Sequence, residues 1–400
     1  MSQSLSCWQF HAVDSWFFRE TRAHDAVGVS ELGSVFPPPV RTLMGAVRTC
    51  IGDRLGVDWH AFAEGTSPPE QQALLGDAEQ LGQLEVRTVI LRHRGETLWP
   101  CPADLMVSGE GESTTITRLR PGSAVECDLG RVALPAIAKE TPAGSKVPES
   151  AWLTDEGAQA WLMGEVPQAN QLVKLNDLLV EEPRLGIGRD NGTATVRQGL
   201  LYQTRHLRIK DPDTHLELWL SGVPSEVLSQ LSGPQSLRLG GEGRLAEVNI
   251  SDVAAFADDN KPFPTHSKPT DGRQLALWLT APAAIDEQDA VAGLPGFAPI
   301  TTDQGVDVWE GTLHGVTLRL VSSCRPRAYR EGGWDQRQHR PLAVRSYLPA
   351  GSVLFCELLD DIPLQAAIAA LHGQPLGAES AWGRGRMLAA PADWPATLTP

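Results

Sequence analysis

The chain has 400 residues, 42% of them hydrophobic, and a formal net charge of −15. That length suggests two or three domains, the acidic balance excludes a general polyanion binder, and no run approaches the ~18 apolar residues of a membrane span. The opening MSQSLSCWQF lacks the basic and apolar regions of a signal peptide, and six scattered cysteines with no CxxC pair indicate reduced, buried thiols in a cytoplasmic protein.

In chain order, residues 8–19 are rich in aromatics and predict a first strand. A loop follows, then FPPPVRTLMGAVRTCIGDRLG, where Leu43, Met44, Val47, Cys50 and Ile51 recur at helical spacing. Pro39 suits the first helical position, Gly56 the stop. Arg41 and Arg48, seven apart, share a face of this helix. Residues 68–83 read as loop or weak helix, and 84–92 alternate as a second strand. Residues 100–150 are broken by Pro, Gly, Ser and Thr and carry no firm assignment; 150–163 predict a short helix capped at Thr154. Asp190-Asn191-Gly192 sits between two strand-like halves and predicts a projecting hairpin over 182–202, feeding a strand through Leu207 and Ile209.

Next comes a series that occurs twice. HLELWL is a strand, VPSEVLSQL a short amphipathic helix, LGGEGRL a glycine-rich loop and LAEVNI another strand. About 140 residues later GSVLFCEL, IPLQAAIAAL, WGRGR and MLAA repeat the order. Each half can be written β-α-β-β-α-β, the split βαβ of ferredoxin-like domains. The weakest element is the helix expected near 282–291. The expected fold is therefore α+β: two tandem ferredoxin-like (RRM-like) domains over 1–257 and 273–400. The polar, proline-broken stretch 258–272 is the linker, and an insertion plus a thumb-like hairpin lie within about 100–200.

The glycine loops carry the chemistry. Glycine lets another backbone approach closely, and free amide N–H groups beside a guanidinium suit a phosphate. Gly240, Gly241, Gly243 and Arg244 form one such loop; Gly383, Arg384, Gly385 and Arg386 form the other. Six of the 34 basic residues are lysine and the rest arginine, a ratio that a GC-rich coding bias also explains. Placement says more. Residues 191–210 contain no acid and carry Arg197, Arg205, Arg208 and Lys210, while 324–345 hold six arginines against Glu331 and Asp335. Trp334, in a glycine-rich basic loop, is a stacking candidate; Trp16, Phe17 and Phe18 read as core.

Tests for catalysis come back empty. Gly241-x-Gly243-x-x-Ala246 fits the dinucleotide fingerprint formally, but a helix precedes it and a strand follows, the reverse of what that motif needs. No GxxxxGK[ST], GxSxG, HExxH or EF-hand pattern occurs, and no cofactor is implied. His24 and His11 are the two histidines worth testing as general bases. The aromatic RNP1 pattern is missing.

Five segments together resemble one family: DSWFFRE at 14–20, FPPPVRTLMGAVRT at 36–49, RLGIGRDNGTATVRQGLLY at 184–202, LGGEGR at 239–244, and GGWD at 332–335 with RSYLPAGSVLF at 345–355. They are similar, in order along the chain, to the repeat-associated RAMP proteins of CRISPR effector complexes, in particular the third Cmr subunit of the type III-B complex. The resemblance implies a non-catalytic cytoplasmic subunit for antiviral defence. Its partners would be the 5′ repeat-derived handle of the guide RNA, the large polymerase-like palm-domain subunit and the backbone RAMP subunits, with no membrane and no metal. It places Arg19, Arg41, Arg48, Arg184, Arg189, Arg197, Arg205, both glycine loops with Arg244, Arg384 and Arg386, and Trp334 beside RNA. Three alternatives stay open: a guide-processing RAMP endoribonuclease, the equivalent type III-A subunit, and a protein-interaction module without RNA.

Overall fold

A computed structural model describes the chain apart from residues 1–4, 21–30, 78, 110, 191, 194, 253–262, 265–271, 336–339 and 396–400, and apart from the side chains of 112, 189, 196–201, 334 and 335. The fold is mixed α/β and rich in strands, with several antiparallel sheets and few helices. Among the described residues, no helix is long and apolar enough to cross a membrane.

The chain divides into two compact units, each drawn from three separate stretches. The first comprises Met1–Gly95, Leu175–Ala255 and Arg330–Arg345; the second comprises Glu96–Lys174, Phe256–Tyr329 and Ser346–Pro400. The expected linker, 258–272, falls almost wholly outside the described residues.

In the first unit five strands run side by side in the order Glu85–His93, Thr214–Ser221, Leu5–Ala12, Leu245–Asp252 and Gln235–Arg238, every pair antiparallel. Trp8 lies opposite Leu218 on one side and Ile250 on the other. Alternation gives this sheet an apolar face: Trp8, Phe10, Leu216, Leu218, Ala246 and Val248 are fully buried. The helix Val40–Arg54 buries Leu43, Met44, Val47 and Ile51, the residues its spacing singled out, and packs on the short helix Ser225–Gln230. Pro39 stands one position earlier than expected, just before the first turn with ψ at 138°. The hairpin is present as Leu179–Arg189 against Val196–Ile209, closed by Asp190, whose carboxylate accepts from the amides of Gly192 (2.8 Å) and Thr193 (3.1 Å).

The second unit has six antiparallel strands in the order Ala298–Thr301, Asp307–Leu313, Val316–Cys324, Val353–Leu358, Gln274–Leu279 and Met387–Pro391. Both faces of this sheet are apolar. Leu275, Leu277 and Leu279 join one cluster with the helix Leu364–Leu371, while Ala276, Trp278 and Phe355 join another with Trp99, Leu153, Trp161 and Leu162. A sheet that is apolar on both sides needs a cover on each. Glu96–Lys174 supplies the second cover, which is why this stretch belongs to the unit far along the chain. Its helix Asp155–Leu162 starts where expected, with Thr154 Oγ1 accepting from the Gly157 amide at 3.3 Å. Beneath it Asp104, fully buried, accepts from Arg118 Nε (2.6 Å) and Trp161 Nε1 (2.9 Å), so the buried charge is paired and its lone pairs are used.

Both units share one strand order. Numbering the repeated strands by their place in each half, the first lies between the third and the fourth, and the second lies beyond the third. In each, a helix joins the third to the fourth. Between the first and second strands, the first unit has Val40–Arg54, whereas the second has a single 3₁₀ turn, Glu287–Asp289, where a helix was expected near 282–291.

On the opposite face of the first sheet Glu217 is buried among donors, Gln9 Nε2 at 3.0 Å, Trp219 Nε1 at 3.1 Å and Arg92 Nε at 3.2 Å, with the His215 ring 3.5 Å away. Burial by itself would raise its pKa, but these partners outweigh burial and bring it from 4.5 down to about 2. The stabilisation is therefore complete above pH 4.5 and fades as pH falls towards 2. Urea melts of Glu217→Gln across that window should show a shallower acid loss than wild type; parallel curves would mean the carboxylate is not the titrating group.

Candidate nucleic-acid interface

The site is organised by the five residues Asp14–Phe18, which leave the strand Leu5–Ala12. Main-chain bonds hold them on both sides. Trp16 and Leu207 exchange N–H···O bonds of 2.9 and 2.8 Å with the hairpin, and the Phe17 carbonyl accepts from the Gly241 amide at 2.8 Å. Trp16, Phe17 and Phe18 are at most 3% exposed, so they are core, as their composition suggested. The Phe17 ring stacks on His206 at 5.2 Å, and His206 Nδ1 lies 3.3 Å from Ser15 Oγ. Burial lowers the His206 pKa, and the charges of Arg184 and Arg244 act in the same direction.

The first glycine loop lies over Phe17. Gly240 adopts φ +82°, and a Cβ there would stand 2.5 Å from the Phe17 carbonyl oxygen. Gly243, at φ +64°, borders open space. Two of the loop's amides are engaged within the unit: Gly241 donates to Phe17, and the Arg244 amide donates to the Gly241 carbonyl at 3.2 Å. It contributes mainly by aiming the Arg244 side chain.

That side chain joins a cluster. The Asp14 carboxylate accepts from Arg184 (3.0 Å), Arg208 (2.9 Å) and Arg244 (3.2 Å), and Glu182 binds Arg184 (2.9 Å) and Arg208 (2.7 Å). Three guanidiniums from three elements thus meet two carboxylates, leaving one positive charge in excess. Hydrogen bonds from Arg184 and then Arg208 hold the Asp14 pKa below its ordinary value. The cluster is open to solvent: the Asp14 side chain is 47% exposed and that of Arg208 45%. Nearby, Arg205 pairs with Glu31 and, at 2.7 Å, with Glu181.

Asp14 and Glu182 are not among the sequence candidates, and Arg208 figures there only as part of a basic stripe. The stripe 191–210 is acid-free along the chain but not across the hairpin. Register sets Arg205 opposite Pro183, with Glu182 and Glu181 the next two residues along the facing strand. Reading the hairpin as a folded ladder rather than a run would have revealed the pairs.

The other candidates scatter. Arg19 is exposed and bridges Ser34 through the main chain. Arg41 Nε stands 3.9 Å from Glu331 Oε1. Arg48 donates to the Asp77 carbonyl at 2.7 Å, lies over the Phe62 ring at 5.7 Å, and has its pKa lowered by burial. It closes a turn of its own unit. The side chains of Arg189, Arg197 and Trp334, and all of His24, lie outside the described residues. His11 stacks on His215 at 4.5 Å, with a pKa lowered first by burial and then by that neighbour.

The second glycine loop overturns its expectation. Arg384 and Arg386 are only 3% and 5% exposed. Arg384 lies over the Tyr347 ring at 4.4 Å, and Arg386 donates to the Gly373 carbonyl at 3.3 Å. Gly383 and Gly385 have φ of +69° and +68°, and a Cβ on Gly385 would meet the Leu376 oxygen at 1.9 Å. The loop is an interior turn of the second unit: Gly385 donates to the Pro282 carbonyl and accepts from the Leu376 amide, both at 2.9 Å, and Gly383 donates to Ser380. Among the described residues, no group of three or more His, Cys, Asp or Glu could hold a metal ion.

A family model described as CRISPR-associated protein (Cas_Cmr3) matches residues 8–391. No curated protein matches the chain. Among solved structures, the chain is similar to a chain of the type III-B Cmr-beta complex bound to cognate target RNA and AMPPnP, with 13% identity, TM-score 0.48, and coverage of 87% of this chain and 86% of that one. A second Cmr-beta structure bound to cognate target RNA gives 12%, 0.45, 92% and 93%. A Csm3–Csm4 subcomplex of the type III-A interference complex gives 9%, 0.38, 90% and 94%.

The two positive-φ glycines of the first loop should respond differently to alanine. Gly243→Ala should cost about 1 kcal/mol, the left-handed penalty alone. Gly240→Ala should cost about 2–4 kcal/mol, since the Cβ also collides with the main chain of Phe17. Chemical denaturation of both variants checks this; equal losses would mean that the loop does not rest on Phe17.

Proposed function

The chain belongs to the Cmr3 family of CRISPR-associated proteins, and on that footing we propose that it is a non-catalytic subunit of a type III-B RNA-guided effector complex, binding the 5′ handle of the guide RNA and docking the large polymerase-like subunit beside the backbone RAMP subunits. In this reading the shared strand order is that of two tandem ferredoxin-like cores, with the boundary between them in 258–272. The setting is cytoplasmic, where guide and target RNA meet.

The observation that carries the RNA assignment is the solvent-open cluster of Arg184, Arg208 and Arg244, with Arg205 beside it. A single-stranded handle is held by phosphate contacts and base stacking rather than by groove readout. The cluster supplies planar donors at one spot of an otherwise acidic chain, as a backbone-tracking site requires. In this reading Arg189 and Arg197, from the same hairpin, together with Arg19, Arg41 and Trp334, are further RNA contacts to be tested one by one. Arg384 and Arg386 are assigned to the interior of the second unit and leave the RNA site.

Fluorescence anisotropy with handle RNA over a salt series tests this. Arg244→Ala should weaken binding uniformly across RNA sequences and flatten the log–log salt slope by about one unit. Arg386→Ala, compared at equal folded fraction, should leave the slope unchanged. An unaltered slope and affinity in Arg244→Ala would sink the assignment.

A further inference from the structure

We infer that the Asp14 carboxylate sits where a phosphodiester oxyanion belongs, and that it must give way for the guanidinium cluster to take its ligand. Asp14 is the one acid that all three arginines share: Arg184 and Arg244 bind one of its oxygens at 3.0 and 3.2 Å, and Arg208 binds the other at 2.9 Å. A carboxylate with both oxygens satisfied by converging guanidiniums copies the donor pattern that an arginine trio presents to a phosphate. Glu182 contacts two of the three and leaves Arg244 to Asp14. The arginines come from two hairpin strands and the glycine loop, whereas Asp14 comes from the segment leaving the first strand, so its exposed side chain can rotate away while its main chain and the donors stay in place. Its 47% exposure gives a ligand a route in, and limits the cost of parting an ion pair already shared with water.

The consequence is a threshold. A single weak anion competes poorly with a tethered carboxylate, while a strand delivering several phosphates displaces it. Asp14 would thus trade anion affinity for stability of the free subunit and for rejection of small anions. The identity of the natural ligand rests on the RNA reading above; the seat itself does not.

The test compares wild type, Asp14→Asn, Asp14→Ser and the control Asp211→Asn, which makes the same charge change at an acid paired with Arg94 elsewhere in the unit. The probes are inorganic pyrophosphate, followed by calorimetry, and handle RNA, followed by anisotropy. Both Asp14 variants should bind pyrophosphate about fivefold more tightly, the scale of one exposed ion pair, and unfold at lower temperature without it. Adding Arg244→Ala to Asp14→Asn should erase the gain, and Asp211→Asn should show none. If neither Asp14 variant gains, or Asp211→Asn gains equally, the inference is overturned. A gain for pyrophosphate with no RNA binding by any variant leaves the seat standing and removes the RNA reading. RNA binding that responds to Arg244→Ala but not to Asp14 removes the seat alone.

Discussion

The contact between the Phe17 carbonyl and the Gly241 amide is the constraint on which the site depends. It brings two main chains to a distance that a side chain at position 240 would forbid. On the other side of the same stretch, the reciprocal bonds between Trp16 and Leu207 fix the hairpin in register. Three buried aromatics keep the stretch from lifting, each contributing on the order of 2–3 kcal/mol of apolar burial. Asp14, at its end, is therefore held where three arginines from separate elements converge. No single element contains the site; it exists because one short segment pairs with two others.

Electrostatics then gives the arrangement its character. The chain is strongly acidic, yet Arg184, Arg208 and Arg244 outnumber by one the two carboxylates they bind, while Arg205 beside them is matched by Glu31 and Glu181. At physiological salt an exposed charge acts over about 8 Å, so the distant acids scarcely weaken the cluster, but they do discourage polyanions from settling elsewhere. A charge pattern of this kind offers an anion one defined place rather than the whole surface. Pairing the arginines with Asp14 and Glu182 also keeps guanidiniums this close from repelling one another when nothing is bound.

Much of the local structure could be read from residues. Alternating leucines marked Thr214–Ser221 and Gln274–Leu279, helical spacing marked Val40–Arg54, Thr154 marked a cap, and Asp190 with Gly192 marked a turn. These are short-range signals with short-range causes. What escaped was set by partners distant in sequence. The acids opposite Arg205 and Arg208 lie across the hairpin, and Asp14 lies 230 residues from Arg244. WGRGR looked like LGGEGR because glycine beside arginine reads alike whether a turn is exposed or threaded through a core; the difference lies in Leu376, Pro282 and Tyr347. The place of residues 100–150, left without a firm assignment, escaped for the same reason. Trp278 and Ala276 form a second apolar face between the leucines, and only its cover, Glu96–Lys174, reveals where that stretch belongs.

The interleaving of the two units has a consequence for how the polypeptide acquires its shape. The chain passes from one unit to the other five times. Ser6 meets the carbonyl of Leu220, 214 positions further along the chain. The first sheet therefore cannot close while only its opening strand exists, and the entropy of gathering such remote pieces comes before the reward of packing them. No single cut releases either unit whole. Until the late segments arrive, the central strands present open edges and bare apolar faces, the kind of surface that invites association with other molecules. A nascent subunit of this design gains from early company, whether a chaperone or the assembly it joins.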